Sequence, residues 1–336
     1  MRLNKIKAAL SKTGLAASVL LAASGAAIAQ SVDLTATPTQ AVLPDGQAVP
    51  MWGYTCGMAP DPITTLPVST ASGNATCNAL NPNAAGNWSP VIITAPANSN
   101  LHIHLTNALS FLPPNQPAGT APTLIPTSLV IVGQLGGGLG GGGITTPSPA
   151  HAPYGTTWPG TSGPADPTSC PDNGGSTGTF CGPAQTARTQ SFATEVAVSA
   201  TATDLVWNNL RPGTYLIESG THPSIQGPMG LYGVLVVTQP ATAATSSTSA
   251  TQGTAYPGVN YDAEVPLLLS EIDAAQNADV NLAVNTVGFA ENKVWLGTAG
   301  ACGDPNVHSC YPPAVNYDPR YYLINGVSFD RTAIQT

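Results

Sequence analysis

The chain has 336 residues, of which only 8% are charged, with nine Lys and Arg against seventeen Asp and Glu. Four of the cations (Arg2, Lys5, Lys7 and Lys12) lie at the N-terminus, so the remainder sets Arg188, Arg211, Lys293, Arg320 and Arg331 against all of the acidic residues. A surface so short of cations argues against nucleic acid or anionic membrane as a partner.

The first 29 residues read as an export signal. The four cations form a basic region, residues 14–23 an apolar one, and Ala27-Ile28-Ala29 a cleavage site after Ala29. The apolar run is too short to span a bilayer, so the expected location is secreted or periplasmic. In the rest, 35 Gly and 32 Pro punctuate short Val/Ile/Leu/Thr runs, with almost no helical period. That pattern predicts an all-β chain, a sandwich of Greek-key type, with length enough for two domains.

In chain order, Ser31–Thr37 reads as an edge strand, and Met51–Gly57 places Trp52 in the core with Cys56 at the strand end. Val91–Thr106 reads as a hairpin turning at Ala95–Ser99. In its second strand Leu101, Ile103 and Leu105 alternate with His102 and His104. Side chains two apart share a face, so the two imidazoles stand together. They are either a metal-chelating pair or polar residues on the wet face, and the apolar set claims the core. Gln134–Gly143 is low-complexity and predicts a flexible loop without the lysine of a phosphate-binding loop. A Gly/Pro-rich insertion extends over 134–187, with His151 a solvated loop residue. Strand patterns resume at Gln190–Val198 and Asp204–Asn208.

Gly213–Val237 reads as strand, turn-rich crossing and strand, and Leu231–Val237 is apolar enough to be buried on both faces. Gly220, Pro223, Gly227, Pro228 and Gly230 argue against a helix in the crossing, which holds His222 beside Glu218. His222 is the leading candidate metal ligand of the chain, with Glu218, His102 and His104 behind it. Its plain reading is a hydrogen bond within the crossing loop. Residues 241–258 form an uncharged linker, Tyr261–Asp273 a strand and acidic loop, Ala274–Asn285 a short helix, and Tyr321–Phe329 a strand and turn.

The six cysteines fall in three close pairs, each in a turn-rich loop: Cys56 with Cys77, Cys170 with Cys181, and Cys302 with Cys310. Near-neighbour disulfides are the simplest pairing in an exported chain. The alternative, a thiolate metal ligand, is open only to Cys310, with His308 close by.

Several of these segments resemble the multicopper oxidases. Gly213-Thr214-Tyr215 and Gly230-Leu231-Tyr232-Gly233 match the family's framework at the end of its first cupredoxin domain, and Thr127-Ser128 matches the approach to its first histidine motif. Pieces such as Ser219–Pro223 and Gln226–Gly233 look most like large exported bacterial members linked to manganese or iron oxidation. The resemblance implies a cupredoxin-like domain over 30–240 and part of a second over 259–336. It also implies copper as cofactor, a small reductant or metal ion as partner, and further C-terminal cupredoxin domains. The copper ligands do not carry over. Val130 and Val132 stand at two ligand positions, and Gly220 stands where a histidine would be. Two expectations follow: the N-terminal part of a longer oxidase, or a cupredoxin-like scaffold that holds no copper.

Overall fold

The alternation in Leu101–Asn107 organises the molecule. Leu101, Ile103 and Leu105 are fully buried, while His102 and His104 between them are partly exposed. The structure, a computed structural model, describes residues 30–57, 71–72, 75–147, 187–239, 249, 252–295, 302 and 307–329. Several expectations lie outside the described residues: the signal segment, His151, and the disulfide between Cys170 and Cys181.

The described residues are mainly β and form a sandwich of two mixed sheets. One sheet runs in the order Ser199–Trp207, Leu101–Asn107, Gln30–Val42, Ala48–Cys56, with Ala71–Ser72 also paired to Gln30–Val42. The other runs Thr76–Ala79, Val91–Pro96, Tyr232–Thr238, Gly213–Glu218, Val130–Ile131. Each sheet contains one parallel pair, Gln30–Val42 with Leu101–Asn107 and Val91–Pro96 with Tyr232–Thr238. The inward faces bury Leu34, Trp52, Tyr54, Ile93, Ile103, Trp207 and Leu235 in one core. Trp52 therefore packs as expected. Cys56 joins Cys77, and Cys302 joins Cys310, so Cys310 is a disulfide partner and not a thiolate ligand.

Several local expectations are corrected. Val91–Pro96 and Leu101–Asn107 are not a hairpin: they belong to opposite sheets, and the segment between them is a corner. Asn98 N–H donates to Leu210 O at 2.8 Å and Leu210 N–H to Ser99 O at 2.8 Å, which anchors that corner to a distant loop. Gln30–Val42 is an interior strand with neighbours on both sides, not an edge. The crossing after Glu218 contains one helical turn, Pro223–Gln226, with the proline at its start. There its fixed φ and missing N–H cost nothing. In Tyr261–Asp273 the strands are Val259–Tyr261 and Leu269–Ile272, with 262–268 irregular between them. The expected linker holds the strand Gly253–Tyr256, which pairs with Val259–Tyr261.

The expected short helix is present as Ala274–Val284. Asp273 caps it, accepting from Ala275 N–H and Gln276 N–H, and its other oxygen accepts from Asp318 N–H at 2.8 Å. The helix lies on the sandwich. Val280, Val284 and Tyr311 join the main core, and Ile272 and Leu323 pack with Val49, Met51 and Trp88.

The glycine-rich loop is packed, not loose. Gly137 N–H donates to Val206 O at 3.0 Å, and Thr194 N–H donates to Gly137 O at 3.1 Å. A Cβ at Gly136 would lie 2.5 Å from Trp207 Cδ1, and one at Gly137 2.4 Å from Trp207 Cζ2, so the loop lies flat on the indole. Gly137 also has φ +58. Gly137→Ala should therefore destabilise the protein by about 1–3 kcal/mol. Gly142→Ala, with open space around it, should stay within about 0.5 kcal/mol of the parent. Urea denaturation of the two variants checks the contrast.

Candidate functional site

The candidate site is built where Thr127–Ile131 and Glu218–His222 meet. Strand pairing sets Glu218 opposite Val130 and Ile217 opposite Ile131. The positions that the family resemblance marks as lost ligands fall here. Val130 is buried and Val132 is exposed. A Cβ at Gly220 would lie 2.7 Å from Val130 Cγ2 and 3.1 Å from Ser128 Oγ. A larger side chain at 220 thus collides with Val130.

Hydroxyls fill the rest of this space. Thr127, Ser128, Ser191, Ser219, Thr221 and Gln226 are all buried. Thr127 Oγ1 and Ser219 Oγ donate to Gln226 Oε1 at 2.8 Å and 2.7 Å, and Gln226 Nε2 donates to Pro126 O at 2.8 Å. Thr221 Oγ1 donates to Ser128 Oγ at 3.0 Å and lies 3.1 Å from Ser191 Oγ. Tyr54 Oη donates to Ser128 O at 2.7 Å, and burial raises its phenol pKa. Such a network is neutral, nearly saturated and rigid. Copper needs imidazole or thiolate donors. Two valines, a glycine and hydroxyls bound to one another supply none, so copper does not fit these positions.

The four candidate ligands of the sequence lie in three places. His102 and His104 sit on the outer face of their sheet. Asp33, His104 and Asp204 form one lateral row across three strands. His104 Nδ1 is 2.8 Å from Asp33 Oδ1, and His102 Nδ1 is 3.0 Å from Asp204 Oδ2. Glu218 lines an open groove with Leu216, Tyr232, Leu268 and Tyr317. Burial raises its carboxyl pKa. His222 faces the C-terminal segment. Its Nε2 lies 3.1 Å from Glu291 Oε1, and its ring meets that of Tyr311 edge-on at 5.7 Å between centroids. Its backbone N–H donates to Gln190 O at 2.8 Å. Among the described residues, no three His, Cys, Asp or Glu side chains converge as a metal-binding group.

Sequence reasoning missed Asp33, Asp204, Glu291 and the hydroxyl network. Thr127-Ser128 and Ser219 flank the motif positions and are a signal of small polar residues. Ser191, Gln226 and the aspartates become neighbours only through strand order.

No protein-family model matches the chain, and no curated protein does. Solved structures similar to parts of it include a multi-copper oxidase from Pseudomonas thermotolerans (15% identity, 63% of this chain and 30% of that one, TM-score 0.30). Others are Lac15 from a marine microbial metagenome (15%, 62% and 32%, TM-score 0.28) and a multi-copper oxidase from Pediococcus acidilactici (10%, 62% and 25%, TM-score 0.27). The chain spans about a third or less of the length of these structures. At these values the likeness bears on none of the site residues.

Two outcomes follow from the site geometry. Gly220→Ala should cost about 1–3 kcal/mol through overpacking against Val130. Adding Val130→Ala should recover part of that loss, as a double-mutant cycle by urea denaturation would measure. For Glu218, the folded state holds the proton more tightly than the unfolded one. Its ionisation costs nothing below the unfolded pKa and destabilises increasingly as pH rises past it. Glu218→Gln should therefore be more stable than the parent near pH 7, and the gain should vanish near about pH 4.

Proposed function

We propose that this chain is the N-terminal part of an exported multicopper-oxidase-type protein. Its cupredoxin-like sandwich serves there as a scaffold and not as a copper centre. The closure of Gly220 against Val130, with a self-satisfied hydroxyl network around it, carries the scaffold half of this reading. The framework stretches support the family half. Gly213–Glu218 and Tyr232–Thr238 pair within one sheet, and Gly233 permits the close approach of Val91 in the neighbouring strand. Export is supported by the basic and apolar leader with its Ala27-Ile28-Ala29 site, and by two disulfides that suit an oxidising compartment.

Electron transfer from a small reductant, such as a phenol or a reduced metal ion, to oxygen through copper would then rest on residues other than the motif positions of this sandwich. The test is oxygen uptake by the mature chain after copper reconstitution, with a phenolic reductant, alongside elemental analysis and EPR. No uptake above that of free copper is expected. Steady uptake that tracks stoichiometric copper would overturn the scaffold assignment. The family half is tested separately by the reading frame beyond Thr336. A His-Cys-His motif with further histidine clusters is expected, and a reading frame without them sinks that half.

A further inference from the structure

A groove of about 770 Å³ is lined by the sandwich on one side and by the small C-terminal sheet on the other. That is the size of a small-molecule site. Strand register gives each wall the same pair of side chains. On the sandwich Glu218 stands directly opposite Tyr232, and on the C-terminal sheet Glu271 stands directly opposite Tyr322. Residues directly opposite share a face, so each carboxylate has a tyrosine beside it. Leu216, Leu269, Ile324 and Phe329 add exposed apolar surface.

Neither carboxylate is matched. Among the described residues, no Lys, Arg or His pairs with Glu218 or Glu271, and Arg320 is held by Asp318 at 3.0 Å. Glu218 is half-buried, and burial raises its carboxyl pKa. Its ionised form therefore carries a desolvation cost that no described cation offsets. Burial pushes the Tyr232 phenol up to about 12, with Ser270 opposing the shift and the charge of Glu271 adding to it. The phenol is thus neutral at pH 7, yet Tyr232 Oη and Ser270 Oγ are each buried without a hydrogen-bond partner. Apolar and aromatic walls with two unpaired carboxylates complement one chemistry, a positive charge carried on an apolar body.

We propose that this groove binds an organic ammonium ion, with Glu218 and Glu271 taking its charge and Tyr232, Tyr322 and Leu269 its apolar body. An ammonium group donates hydrogen bonds to carboxylates and is attracted to the faces of phenol rings. Among the described residues no ligand set converges for a metal ion, so the apolar body is what the walls recognise. Bound there, the cation offsets the cost of ionising Glu218. Val130, Val132 and Gly220 do not line the groove, so the site stands independently of the scaffold reading.

The test is calorimetry on the mature chain with 4-phenylbutylammonium chloride, and with uncharged 4-phenylbutanol as its control. Saturable binding of one ammonium ion per chain is expected, with the alcohol at least about tenfold weaker. Affinity for the ammonium ion should fall about tenfold in Glu218→Gln and in Glu271→Gln, and about threefold in Tyr322→Ala. Glu271 and Tyr322 are exposed, so those variants should keep the fold. Asp204→Asn, on the outer face of the other sheet, should leave affinity unchanged, which separates a site from general attraction to an acidic chain. No saturable binding, equal affinity for the alcohol, or affinity undiminished in both glutamine variants would overturn the proposal. Sedimentation of the unliganded chain should show a monomer. A dimer abolished by Leu269→Ser would assign the groove to a second copy of the chain and overturn the proposal as well.

Discussion

Close backbone approach between residues 219 and 233 and their neighbours holds the two sheets together. Trp52 N–H, from one sheet, donates to Met229 O at 2.7 Å, just before a central strand of the other. Trp88 Nε1 donates to Gly230 O at 3.1 Å. A Cβ at Gly230 would lie 2.4 Å from Trp88 Nε1, and one at Gly233 2.6 Å from Val91 O. These glycines are therefore dictated by contact distance. Replace them, and Tyr232–Thr238 can no longer lie between Val91–Pro96 and Gly213–Glu218, which is where the second sheet closes.

The same closeness governs the candidate site. Strand pairing brings residue 130 beside residue 218 and leaves little room at 220. A metal centre at such a junction needs side chains with donors pointing into a shared space. In this chain that space holds a valine methyl and a closed circuit of hydroxyl and amide groups. A satisfied polar network of this kind favours one arrangement of the core and carries no net charge. Ionisable groups collect instead at its margins: Glu218 in the groove, and His222 with Glu291 and Glu195 at the contact with the C-terminal segment.

The C-terminal segment depends on the sandwich. Its helix buries Val280 and Val284 in the main core, and Asn277 Nδ2 donates to Pro50 O at 3.0 Å. Its small sheet leaves Leu269, Tyr322, Ile324 and Val327 exposed. Its order thus comes from packing on the first sheet and on Trp88, with the Cys302–Cys310 disulfide and the Asp273 cap as local supports. The contact of His222 with Glu291 lies along that same seam.

Residue pattern alone determined the local physics. Alternation in Leu101–Asn107 put the imidazoles outside and the leucines inside, because a strand has a period of two. Apolar density in Leu231–Val237 marked a strand buried on both faces, and close cysteine spacing marked Cys56–Cys77 and Cys302–Cys310. The valines at 130 and 132 already excluded metal donation there, since an alkyl side chain has no donor atom. Tertiary structure alone decided what lies opposite what. A hairpin and a sheet-to-sheet corner use the same turn residues, so only the parallel pairing with Gln30–Val42 separated Val91–Pro96 from Leu101–Asn107. A run of glycines is a flexible tether in isolation, and it became a packed surface only because Trp207 supplies a flat face. Asp33 and Asp204 reach the histidines, and Glu291 reaches His222, across separations in sequence that no local pattern encodes. Those contacts exist because the order of strands in a sandwich is a property of the whole chain.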